Sequence, residues 1–254
     1  MSATVNSCQV IILIKAVPRP SKKYGETVCC AGVTRDGVWK RLYPVRFRQL
    51  TEFSQFRRWD LVSFRFRRPT EDLRQESCHV FEDTIAVDGS FPQKERYEFL
   101  DRLIFASARS AASDGRSLTI VRPINPRFTF KKKPAAIIEA ERQIYRNAGR
   151  QTSFLDSELE HLEPTPYAFA FRFEDGNGRH TYQCGDWETQ ATFRKWQQLY
   201  GEAKTLELLS ARYNEDYPKK GMVFALGNVL KRQHIWQLLG VIRADEKFQL
   251  SLGL

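Results

Sequence analysis

The stretch Lys22–Glu26, KKYGE, sets one carboxylate two residues after a tyrosine in the most basic part of the chain. A carboxylate beside an extruded nucleotide can stabilise an oxocarbenium-like sugar and position water for attack. That is the chemistry of N-glycosidic cleavage, and in its simplest form it needs neither metal nor cofactor. The plainer role for Glu26 is an ion pair with a neighbouring lysine or arginine. Asp72 and Asp186 are rival catalytic carboxylates, although Asp186, in CGDWE, is also well placed to cap a helix. Lys23, if buried with a depressed pKa, would instead form a Schiff base.

The candidate binding residues lie around these carboxylates. Lys22, Lys23 and Tyr24 open the set, and KRLYPVRFR adds Arg41, Tyr43, Arg46 and Arg48. FRRW supplies two more arginines between aromatics. In WDLVSFRFRRP, Phe64 and Phe66 alternate with Arg65 and Arg67, so one strand face enters a core while the other presents guanidinium groups. A loop near the C-terminus, NVLKRQH, carries Lys231, Arg232 and His234. Cations neutralise phosphates, while ring faces and guanidinium planes stack on exposed bases. The competing role is architectural, with Tyr43 and Trp59 in a core and the arginines on a solvated face.

The charge distribution favours an acidic polymer. The chain has a net charge of +10 over 254 residues. Residues 1–70 carry 14 Lys and Arg against 4 Asp and Glu, and the remainder carries 26 against 26. All the excess therefore lies in the first 70 residues, which points to nucleic acid. No phosphate loop, dinucleotide-binding fingerprint or G-x-S-x-G elbow occurs. Cys29–Cys30, Cys78–His79 and His180 with Cys184 lack zinc spacing, so no metal site and no cofactor are expected. The longest aliphatic run near the N-terminus, Val10–Ile14, is far short of the roughly 20 residues that span a bilayer. Five scattered cysteines suit a reducing, cytoplasmic setting.

These residues need strands to hold them. Cys8–Lys15 reads as a buried strand, GETVCCAGV and VWKRLYPV as a hairpin across TRDG, and Trp59–Arg67 as a further strand. Arg46–Phe56 holds a short helix. Together they predict a small curled sheet or barrel. Lys94–Ser110 and Ala135–Asn147 read as helices and Ser117–Arg122 as a strand, with Pro123, Pro126 and Pro134 punctuating the stretch before Ala135. YAFAFRF and RHTYQC form a second hairpin, helices cover Trp187–Tyr200 and Glu202–Tyr213, and MVFALG and IWQLLGVI come last as strands. No internal repeat is visible. The expected class is α+β: an N-terminal basic antiparallel sheet or barrel within 1–150, a linker at 151–166, and a ββααββ-like unit over 167–254.

The strings KKYGETVCCAG, KRLYPVRFR and TYQCGDWE resemble segments of uncharacterised bacterial proteins found with phage-defence and mobile elements. The resemblance implies a defence setting. A DNA glycosylase that removes a modified base, such as glucosylated hydroxymethylcytosine, would suit it. A base-excising, DNA-binding enzyme is thus the leading expectation. A non-catalytic reader of modified nucleic acid, a metal-dependent nuclease and a binder of acidic protein are the alternatives.

Overall fold

The computed structural model describes residues 4–21, 25–152 and 163–245. Seven strands form the first unit: β1 (Asn6–Lys15), β2 (Arg19–Ser21), β3 (Gly25–Thr27), β4 (Cys30–Val33), β5 (Trp39–Tyr43), β6 (Asp60–Arg67) and β7 (Ser77–Ser90). Five of them close into a barrel in the order β1-β4-β5-β7-β6, and β2 with β3 makes a separate ribbon. β1 pairs antiparallel with both β4 and β6, while β5 and β7 pair in parallel. Counting only barrel strands, the first touches the second and fourth, and the third runs parallel to the fifth. This is the strand order of the five-stranded Greek-key OB barrel. Two short 3-10 turns, Phe47–Gln49 and Glu52–Ser54, stand where one short helix was expected.

After α1 (Arg96–Asp101) come β8 (Ile104–Phe105) and α2 (Ala108–Ser113), so the single helix expected over Lys94–Ser110 is broken. Ser107 ends it by capping α2 through the Ser110 backbone N–H. β9 (Leu118–Val121) and β10 (Ile124–Lys132) then form one interrupted path, with an irregular register between Ile124 and Arg127 around Pro126. α3 (Ala135–Thr152), β11 (Tyr167–Asp175), β12 (Gly178–Gln183), α4 (Trp187–Tyr200), α5 (Glu202–Ala211), β13 (Met222–Val229) and β14 (Arg232–Arg243) complete the chain. β10 pairs with β11 across the stretch 151–166, of which residues 153–162 lie outside the described residues.

The same strand order recurs here. β9–β10 pairs with β13 and with β11, β11 pairs with β12, and β13 pairs with β14. A parallel bridge from Cys184 to Leu238 joins the end of β12 to β14. The second unit is therefore a half-open barrel of the same topology, with α4 and α5 between its third and fourth strands. The duplication is topological and has no counterpart in repeated residues.

The fold class is α+β, with the N-terminal barrel and the ββααββ succession both present. Each barrel has its own apolar interior: Val10, Ile12, Leu42, Val62 and Phe64 in the first, Phe169, Phe171, Phe193, Phe224 and Leu238 in the second. A third cluster joins Ile11, Leu13 and Val33 to Leu118, Ile120, Val223 and Leu239. β1 is thus covered on both faces, which is why VIILI is a continuous apolar run instead of an alternating one. Among the described residues, no helix is long and apolar enough to cross a membrane.

Candidate nucleic-acid interface

Pro69 ends β6, and residues 68–76 cross to β7 as a loop between the fourth and fifth barrel strands. Asp72 organises that loop. Its carboxylate accepts from Arg74 Nη2 at 2.6 Å and Nε at 2.9 Å, from Ser77 Oγ at 2.7 Å and from the Arg74 backbone N–H at 3.2 Å. Burial alone would raise the Asp72 carboxyl, but the hydrogen bonds from Arg74 and Ser77 outweigh it and hold it below the usual carboxylate range. Arg74 also donates to the Asn228 carbonyl at 3.0 Å and to its side-chain oxygen at 3.2 Å. The loop is therefore pinned between the barrels.

Beside it lies a cavity of about 730 Å³, lined by Cys29, Tyr43, Arg67, Asp72, His79 and Lys231 among others. Its size falls within the range of sites that take small organic ligands. Arg67 and Lys231 are exposed at it, and Tyr43 is 41 % exposed. The arrangement can hold a phosphate with the two cations and stack a planar group on Tyr43. It offers little acid–base chemistry through Asp72, whose two oxygens each already accept two hydrogen bonds. Glu71 lines the same cavity, and its side chain makes no hydrogen bond or ion pair within the described residues.

Two family models match this chain. One, Domain of unknown function (DUF8758), covers residues 6–104, and the other, Domain of unknown function (DUF8757), covers residues 101–252. The second spans more than half of the chain. The chain belongs to the DUF8757 family. No curated protein matches it. The two matches meet at 101–104, between the closed barrel and the strand β8 that begins the second unit.

The structure distributes the expected site residues unevenly. Asp72, Tyr43, Arg41, Arg67 and Lys231 meet at the cavity. Arg41, however, is 4 % exposed and turned inward. It donates to Ser117 Oγ at 3.1 Å and to the Ser117 carbonyl at 2.5 Å, and Ser117 donates to the buried Glu76 carboxylate at 2.8 and 2.9 Å. That ties the barrels together in place of the expected phosphate contact. Arg46 pairs with Glu82 at 2.8 Å. Arg65 is exposed on β6, one pleat away from the cavity-lining Arg67. Arg232 and His234 are exposed at the start of β14, on a strand and not in the loop expected there.

Asp186 departs furthest from a catalytic role. It is fully buried, accepts from Arg58 Nη2 at 2.7 Å and from the Val241 N–H at 3.2 Å, and caps α4 through the Glu188 N–H at 3.3 Å. Burial would lower the Arg58 guanidinium, yet the carboxylates of Asp186 and Glu188 hold it above its ordinary value. No substrate reaches this carboxylate. Lys22, Lys23 and Tyr24 lie outside the described residues, as do the side chains of Glu26 and Arg48. Among the described residues, no three His, Cys, Asp or Glu converge as a metal site. Burial pushes the Cys78 and Cys184 thiols up to about 12, which makes both poor thiolate ligands.

Arg74 and Ser77 are not among the expected site residues. Their short-range signal is the spacing D-x-R-x-x-S over Asp72–Ser77, which suits a carboxylate closing its own loop.

Proposed function

We propose that the chain binds nucleic acid, laying an unpaired DNA strand past the exposed Tyr43 end of β5 with one base in the cavity beside residues 68–76. One observation carries this reading: the position of the cavity within the barrel. It touches the third and fifth strands and the loop between the fourth and fifth, and OB barrels take oligonucleotides on their second and third strands beside that loop. In sequence, KKYGE falls between the first and second barrel strands. Fold likeness alone assigns no function, so the residues around the cavity have to support the reading too. Arg65, Arg67 and Lys231 are exposed with no carboxylate in ion-pair distance among the described residues, and Tyr43 is 41 % exposed beside them. A cytoplasmic setting belongs to the same proposal, supported by five free cysteines. Fluorescence anisotropy with labelled single-stranded and duplex DNA tests it. The expected result is saturable binding that weakens with salt and favours the single strand. An absence of binding to either form at about 50 mM salt, where phosphate contacts are strong, would overturn it.

Base excision is the second reading, favoured by Glu71, a carboxylate at the cavity that no side chain occupies. In that reaction, water adds to C1′ of the sugar as the C–N bond breaks, and the base leaves with the bonding electrons and takes up a proton. DNA carrying a modified base, such as glucosylated hydroxymethylcytosine, is the substrate to try in EDTA. Free base and an alkali-labile abasic site, both lost in Glu71→Gln, are the expected products. If neither appears on any modified DNA that the protein binds, the chain is a reader and not a glycosylase.

A further inference from the structure

A second cavity shares no lining residue with the first. It measures about 540 Å³ and lies where the end of β1, the start of β6, the end of β14 and the turn after α5 meet. Its wall carries Lys15, Arg57, Arg58, Arg96, Arg212 and Arg243 against only Glu188 and Asp245. Three of the six cations are tied. Arg58 pairs with Asp186 at 2.7 Å, Lys15 with Glu188 at 3.2 Å and Arg243 with Asp245 at 2.5 Å. The other three have no carboxylate within ion-pair distance among the described residues.

Two of those three are held in place by an indole ring. The Arg96 guanidinium lies 4.8 Å from the Trp59 ring centre and donates to the Phe91 carbonyl at 3.2 and 3.3 Å. That of Arg212 lies 4.1 Å from the Trp196 ring centre and donates to Thr192 Oγ1 at 3.5 Å. Arg57 is exposed and forms no side-chain hydrogen bond or ion pair among the described residues, although its charge helps to hold the Glu188 carboxyl down. Stacking on an indole fixes a guanidinium plane without neutralising it, so little side-chain freedom remains to be lost when an anion arrives. Arg212 also opens a π-helical turn, Arg212–Asp216, an irregularity that recurs at functional sites.

We infer that this cavity binds a polyphosphate chain. Three unpaired guanidinium groups around one opening match a ligand with several adjacent charged oxygens, and forked N–H donors suit phosphate oxygens in particular. The phosphates would belong either to a free nucleotide or to the 5′ end of a strand. This site is independent of the proposed nucleic-acid interface, because none of its residues line the first cavity.

Calorimetric titration of the full chain with inorganic tripolyphosphate, without divalent metal, tests it. One saturable site is expected, weakened at least about tenfold in the double variant Arg57→Ala/Arg212→Ala, a loss equal to about 1.4 kcal/mol. The variant Arg67→Ala/Lys231→Ala should bind tripolyphosphate as the wild type does, which separates this site from the first. Thermal unfolding establishes that both variants are folded. Competition then separates the sources. Displacement by ATP, with no preference for a 5′-triphosphorylated over a 5′-hydroxyl oligonucleotide, identifies a free nucleotide. At least about a tenfold preference for the triphosphorylated oligonucleotide identifies a strand end. Absence of a saturable site, equal binding by Arg57→Ala/Arg212→Ala, or displacement by neither competitor would overturn the inference. The single variant Arg57→Ala, at an exposed position, keeps the test valid if the double variant does not fold.

Discussion

Replacing Arg65 and Arg67 together with alanine isolates the electrostatic part of the proposed interface. Both side chains are exposed on β6, and neither forms an ion pair among the described residues. Packing on that strand belongs to Phe64, 2 % exposed, and to Phe66, whose ring centres are 5.8 Å apart. The double variant should therefore unfold within about 0.5 kcal/mol of the wild type. Binding should respond differently. Each phosphate contact to a single strand contributes roughly 0.7 to the slope of log affinity against log salt, so losing two should flatten it by about 1.4. Over a fourfold rise in salt, that slope corresponds to roughly a sevenfold smaller loss of affinity. Anisotropy titrations of a labelled oligothymidine at several salt concentrations measure the slope directly. An unchanged slope, with binding intact, would refute the assignment and return β6 to plain architecture.

Three further outcomes rest on named contacts. Tyr43→Ala should weaken single-strand binding by roughly 1–3 kcal/mol, the worth of one stacked base, and leave the salt slope unchanged because no charge is removed; an altered slope would contradict stacking. Asp186→Ala should cost about 3–5 kcal/mol in denaturant unfolding, because it strands the buried Arg58; a cost below about 1 kcal/mol would contradict the pairing. Asp72 and Glu188 are both held below their ordinary range. For Glu188, burial pushes the carboxyl up but Lys15 and Arg58 outweigh it. The unfolded chain then takes up protons at higher pH than the native one, so stability is full above about pH 5, clear of the unfolded carboxyl values, and is lost as pH falls through the folded values. The acid limb of a thermal-midpoint profile should be shallower in Asp72→Asn, and an equally steep limb would count against the Arg74–Ser77 clamp.

Local pattern carried the elements, and the second barrel decided the exposure of the site residues. Alternation placed Phe64 inward and Arg65 outward, TRDG closed the β4–β5 hairpin, and Asp186 before WETQ was readable as a cap. The same period-two logic puts Arg41 and Tyr43 on one face of β5, yet one is buried and the other 41 % exposed. The second barrel covers one end of that face, through Ser117 and Gly227, and no local pattern shows which outer face a distant strand will cover. A Cβ at Gly227 would lie 3.2 Å from the Arg41 guanidinium, which is how closely the two units meet there. Charge counting misplaces two arginines for a related reason. It treats every cation as surface, whereas Arg41 and Arg58 hold the barrels together from inside. The duplication stayed hidden because Pro123 and Pro126 interrupt the first strand of the second barrel, so that Ser117–Arg122 reads as strand and its continuation after Pro123 does not.

Hydrogen exchange of the full chain, with and without a saturating single-stranded oligonucleotide, bears most directly on the central claim. Added strand should slow exchange at the Tyr43 end of β5 and in residues 68–79, with the interior strand β13 unchanged. Slowed exchange confined to other surfaces, or none under conditions where the oligonucleotide is bound, would contradict the placement of the strand on the first barrel.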